Sequence, residues 1–253
     1  MTAKGLAAVV GAIATCCMVA PAGAGASTTI GADLSVDPVQ ACGAGTGEFC
    51  NFTSLNLPSG APDTGSPVAG ILVSVRVRSA GAATDLTLRV LRQNTITPSE
   101  FLNVGPDEAI VPVTADATTE GHITERAGLH MPVAVGDRLG VGYVKPASFF
   151  SVLGNHAAAS CYFRQGAGLD HPVGTERGYS GGCLEPLLQG TVEPDADGDL
   201  YGDESQDLCP GNAALQTACP VPAQPQPKKK KCKKAKKKSA AAAKKKCKKK
   251  KKS

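Results

Sequence analysis

The chain has 253 residues, a formal net charge of +5, ten cysteines, no tryptophan and only 4% aromatic residues. So few aromatics argue against a sugar-binding face built on ring stacking, which needs flat apolar rings at the surface. The charge is divided unevenly: 17 lysines and no acid lie in 228–253, and all 22 acidic residues precede position 208, so 27–227 carries 9 basic residues against 22 acidic and a net −13.

Residues 1–26 read as an export signal. Lys4 is a short positive start, Gly5–Ala20 is a 16-residue run without charge, and Ala24 and Ala26 form an A-x-A cleavage site before Ser27. The run is Ala- and Gly-rich and shorter than the roughly 20 residues a membrane span needs. No second apolar run follows, so the sequence predicts no transmembrane helix and a secreted, extracellular protein, held near the cell wall or envelope. Cys16 and Cys17 raise a lipoprotein alternative, but Cys16 follows Ile-Ala-Thr rather than the usual small residue.

Removing the leader takes Cys16 and Cys17 away and leaves eight cysteines of the ten, at 42, 50, 161, 183, 209, 219, 232 and 247. An even number in an exported chain indicates disulfides. Nearness in sequence suggests Cys42–Cys50, Cys161–Cys183 and Cys209–Cys219, with the connectivity otherwise open.

Residues 27–192 are long enough for one domain with a substantial core. Ile71–Arg78 alternates, with Ile71, Val73, Val75 and Val77 on one face and Ser74, Arg76 and Arg78 on the other. Leu86, Leu88 and Val90 repeat the pattern, and Ala109–Thr114, His122–His130 and Leu139–Val144 resemble it. Turn residues separate them, as at Gly105-Pro106-Asp107 and Gly136-Asp137. Short period-2 segments without a capped helical run predict an all-β, antiparallel, jelly-roll-like sandwich. One or two short helices over the sheet are the alternative.

At Glu193 the composition turns acidic, through Cys219. Pro220–Pro227 is a Pro-rich extended spacer, and Lys228–Ser253 reads as a disordered polycation, because like charges repel and no apolar face exists. Its expected partners are anionic cell-wall polymers or other extracellular polyanions, bound with strong salt dependence. Lacking arginine and aromatics, the tail is not built to read bases. Cys232 and Cys247 within it could pair with each other or between chains.

The acidic segment carries the clearest chemistry. Carboxylates at positions 1, 3 and 5 of a tight loop, a backbone carbonyl at 7 and further carboxylates can wrap a hard cation that takes six to eight oxygens. These are Asp195, Asp197, Asp199, the carbonyl of Tyr201, and Asp203, with Asp207 or Glu204 closing the shell. The D-x-D-G-D-x-x-G-D…C-P run resembles a thrombospondin type 3 calcium repeat, and more loosely an EF-hand or dockerin loop. That resemblance implies a stabilising calcium ion. It departs at Leu200, where such loops have Gly, and at Gln206, which puts Asp207 one residue late. Val133–Gly140 (V-x-x-G-D-R-L-G) and Val192–Asp199 also resemble segments of poorly characterised secreted bacterial β-sandwich proteins, which implies the architecture and no named activity.

Gly178-Tyr179-Ser180-Gly181-Gly182 fits G-x-S-x-G, the serine-hydrolase elbow. That elbow needs an acid and then a histidine downstream, and no histidine follows Ser180. A Gly-rich turn is the simpler account. The expectation is therefore a non-catalytic binding or structural protein. A carbohydrate-binding module is the alternative, with a glycan ligand on Tyr143, Phe149, Phe150, Tyr162, Phe163 or Tyr179; a secreted hydrolase is the remoter one.

Overall fold

The computed structural model describes residues 26–56, 65–110, 121–155, 160–182 and 184–220. The leader, the tail with Cys232 and Cys247, and most of the proline spacer lie outside these residues. The described residues up to Cys219 belong to one compact unit. Among the described residues there is no helix, so the helix-bearing alternative is set aside, and nothing is long and apolar enough to cross a membrane as a helix.

The strands, in chain order, are β1 (Thr28–Gly31), β2 (Phe49–Asn56), β3 (Gly70–Gly81), β4 (Leu86–Gln93), β5 (Glu100–Asn103), β6 (Glu108–Ile110), β7 (His122–Val133) and β8 (Arg138–Val144). Then follow β9 (Phe150–Ser151), β10 (Leu153–Gly154), β11 (Ser160–Gly166), β12 (Glu176–Gly178), β13 (Ser180–Gly182), β14 (Glu185–Pro186) and β15 (Leu188–Glu193). All pairings among them are antiparallel. One sheet runs β1-β15-β3-β7, with β9 on the end of β3; a second runs β12-β5-β4-β8-β2-β11-β13, with β6 also on β4; β10 and β14 pair as a short two-stranded sheet. The fold is an all-β antiparallel sandwich, and its first and last strands are neighbours.

Alternation explains the central strands. Leu86, Leu88 and Val90 of β4 are fully buried in one cluster with Leu139, Val141 and Tyr143 of the neighbouring β8 and Leu72, Val75 and Val77 of β3. Each such side chain contributes about 1.5–3 kcal/mol when taken from water. The opposite face of β8 carries Gly140 and Gly142. A Cβ on Gly142 would stand 1.9 Å from Nη1 of Arg89, so the guanidinium lies where no side chain fits.

β3 corrects the expectation that Ile71, Val73, Val75 and Val77 share one face. The register with both neighbours shifts between Leu72 and Ser74. This bulge makes Leu72, not Ile71 or Val73, join Val75 and Val77 in the core. Val73 thereby comes to lie against Gly202 of the acidic segment, which has no room for a Cβ there: it would sit 2.6 Å from Val73 Cγ1.

The turn between β7 and β8 is the V-x-x-G-D-R-L-G segment. Asp137, 1% exposed, accepts two bonds from Arg92 (2.7 and 2.8 Å) and one from the Ala134 N–H. Disulfides join Cys42 to Cys50 and Cys209 to Cys219. Cys161 pairs across the ladder with Gly182, the residue before Cys183, which lies outside the described residues.

Candidate metal centre

The acidic segment begins where β15 ends, and its shape follows from side-chain capping of its own backbone. Asp195 Oδ1 accepts from the N–H groups of Gly198 (2.8 Å) and Asp199 (3.1 Å), and its Oδ2 from Leu200 (3.1 Å). Asp199 Oδ1 accepts from Tyr201 N–H at 2.9 Å, and Asp203 receives Ala196 N–H at 3.2 Å from each oxygen. Short carboxylate side chains favour such local bonds over regular ladders. Gly198 and Leu200 both take positive φ, 76° and 71°. Leu200 thus adopts at the sixth position the left-handed backbone that glycine tolerates best, at a cost of about 1–2 kcal/mol.

This wrapping brings Asp195, Asp197 and Asp199 together: each offers one carboxylate oxygen, all within 4.8 Å of one another. The group can hold a metal ion. Both oxygens of Asp197 are buried and close no hydrogen bond of normal geometry. Desolvation, then Asp199, Asp207 and Asp195, push its carboxyl above the usual range, against the partial relief of the nearby Asn212 N–H. Asp203 is raised too, first by desolvation and then by Asp195, Asp197 and Asp207, with the Ala196 N–H opposing. A buried carboxylate without a partner is costly, and here the nearest charges are other carboxylates.

Burial distinguishes the two candidates for the closing position. Asp207 is 1% exposed; its Oδ1 accepts from Cys209 N–H at 2.7 Å, while its buried Oδ2 has no partner. Glu204 instead is exposed and its Oε1 accepts from Ser27 N–H at 2.6 Å. Hard oxygen donors with orphaned, desolvated oxygens fit a hard cation.

Several residues that the spacing did not point to hold the loop on the sandwich. Glu193, 4% exposed at the end of β15, accepts from the N–H groups of Glu204 (3.1 Å) and Ser205 (2.9 Å). Gln206 donates to the Leu129 carbonyl on β7 at 2.9 Å, and His130 Nδ1 meets the Leu200 carbonyl at 3.1 Å. The Tyr201 ring packs edge-on to His130 at 4.5 Å. Gln216 reaches Asp199 Oδ2 at 2.9 Å from within the Cys209–Cys219 loop. Only the flanking cysteines hinted at that last partner.

The other candidate residues fall elsewhere. Ser180 is exposed on β13 opposite Phe163. His171, earlier in the chain, has both ring nitrogens engaged, by Tyr179 Oη at 2.8 Å and the Thr175 carbonyl at 2.9 Å. Tyr143, Phe150 and Tyr179 are buried, so these three offer no ring face to a sugar; Phe149 is exposed and Phe163 half-buried. A separate groove of about 510 Å³ runs past half-buried Phe49, with Asp85, Asp107 and Asp170 around buried Arg89. Arg89 donates to Asp170 at 2.8 Å and also bonds Asn51. Comparison with protein-family models, with curated proteins and with solved structures finds no match to this chain.

Proposed function

We propose that the chain is an exported, non-catalytic binding or structural protein of the cell envelope. In this reading a calcium ion in the Asp195–Asp207 loop stiffens the exit from the sandwich, and the lysine-rich tail engages anionic polymers. The observation that carries the metal assignment is the pair of buried oxygens on Asp197 beside Asp195 and Asp199, relieved only in part by the nearby Asn212 N–H. Asp195, Asp197, Asp199, Asp207 and the Tyr201 carbonyl would supply the oxygens, and Asp203 would add negative charge. The disulfides and the absence of a membrane-crossing helix among the described residues fit an extracellular setting. Tail and spacer enter through their composition alone: 17 lysines in 228–253 of a chain whose body is strongly acidic. The test is the cell-bound fraction with and without 228–253 at low and high salt. Release of the full chain by salt supports the tether, and equal retention without the tail refutes it.

A carbohydrate-recognition role is the second reading, favoured by the groove beside Phe49. Its carboxylates and threonines could take sugar hydroxyls, with Phe49 as the apolar wall. Glycan-array binding lost on Asp107→Ala would support it, and an array without hits would count against it.

A further inference from the structure

Two independent observations meet at Ser27. The A-x-A pattern at Ala24 and Ala26 places the cleavage point just before it. In the folded chain Ser27 N lies 2.6 Å from Glu204 Oε1, inside the metal loop. The sheet enforces that proximity, because Thr28 pairs with Val192, three residues before Asp195. We infer that leader removal creates a built-in ligand for the loop: the new α-ammonium of Ser27 docks on Glu204, so the loop is fully tied down only in the processed protein. This rests on the export reading above.

The chemistry balances simply. A leader-removing endopeptidase adds water across the Ala26–Ser27 amide, leaving a carboxylate on Ala26 and an amine on Ser27. Before cleavage Ser27 offers one neutral N–H, and the preceding chain must leave at that point. Afterwards it offers three donors and, as an α-ammonium, a positive charge. Charge-assisted bonds to carboxylates are shorter and roughly twice as strong as neutral ones. Glu204 is held ready for it, since Glu193 Oε2 fixes its backbone N–H. Engaged outward in this way, Glu204 leaves the closing position to Asp207.

The test has two stages. N-terminal sequencing of the secreted full-length product should read Ser27-Thr28-Thr29; any other start overturns the processing site and the docking with it. The mature chain, released from a fusion to begin either at Ser27 or with one extra glycine, is then compared with Glu204→Gln. Limited proteolysis within 199–206 in chelator is the readout. The native start should be cut about two- to five-fold more slowly than the extended chain, the range expected of an exposed ion pair. Glu204→Gln should remove that difference, and combining it with the extra glycine should add nothing. Equal cutting of the native and extended chains refutes the docking while leaving the export reading intact.

Discussion

The sandwich and the acidic loop bury charge in opposite ways. Within the sandwich, Asp137 is matched by the forked guanidinium of Arg92, and Arg89 lies between Asn51 and Asp170. Both of these buried charges have an opposite or polar partner from the same chain. In the loop, Asp197 and Asp207 keep buried oxygens without partners, and the charges that act on Asp197 are those of other carboxylates. The contrast teaches that the first region is compensated by its own chain, whereas the second gathers carboxylates that could hold a metal ion. A metal should therefore leave the first untouched and transform the second.

The largest expected effect comes from the covalent clamp. Replacing Cys209 and Cys219 together by serine should cost about 3 kcal/mol of stability for a loop of this size, and should weaken calcium binding because Gln216 loses its anchorage near Asp199. Urea denaturation with calcium and with chelator measures both. Next, Asp137→Ala should lower stability by about 2 kcal/mol or more, because a buried acceptor of charged bonds is removed. That loss should be the same with and without calcium. A calcium-dependent loss would break the comparison.

The alternation of large apolar residues in β4 and β8 makes their core faces legible, although both strands are buried at nearly every residue. β3 was misread for a physical reason. Its Ile71–Val77 run is apolar on both sides of the bulge, and only the register against β15 shows Val73 as an extra residue, while the same step against β7 leaves Gly128–His130 unpaired on that strand. β9, β10 and β12 to β14 span two or three residues each, too short for any period to show. In the site, the local spacing of Asp195, Asp197 and Asp199 was readable, because capping within a tight loop depends on near neighbours. Glu193, Leu129 and His130 act by contacts that only the folded sheet creates, and Gln216 by one made from the Cys209–Cys219 loop, at which only the flanking cysteines hinted.

A smaller effect is expected from pH. The folded-state carboxyls of Asp197 and Asp203 are raised, so the native state holds those protons more tightly than the unfolded chain. Their ionisation therefore destabilises the metal-free fold, fully above the raised values, and the penalty is relieved as pH falls toward the ordinary carboxylate range. In chelator, mild acidification from neutral should raise the melting temperature; in calcium this rise should vanish or reverse, as protons compete with the ion. The smallest effect belongs to Leu200→Gly. Relieving the 71° φ at a half-exposed residue should stabilise the loop by at most about 1 kcal/mol, partly offset by the greater freedom of glycine when unfolded. Loop proteolysis in chelator should slow slightly, and faster cutting would mean that the side chain matters more than the backbone.

The proposal at stake is that the loop takes up one cation and the sandwich none. Isothermal titration of calcium into the secreted full-length chain, alongside Asp197→Asn, tests it most directly. The account predicts one ion per wild-type chain, a higher melting temperature on binding, and neither response in Asp197→Asn. Wild-type protein that takes up no calcium and melts identically in chelator would contradict it.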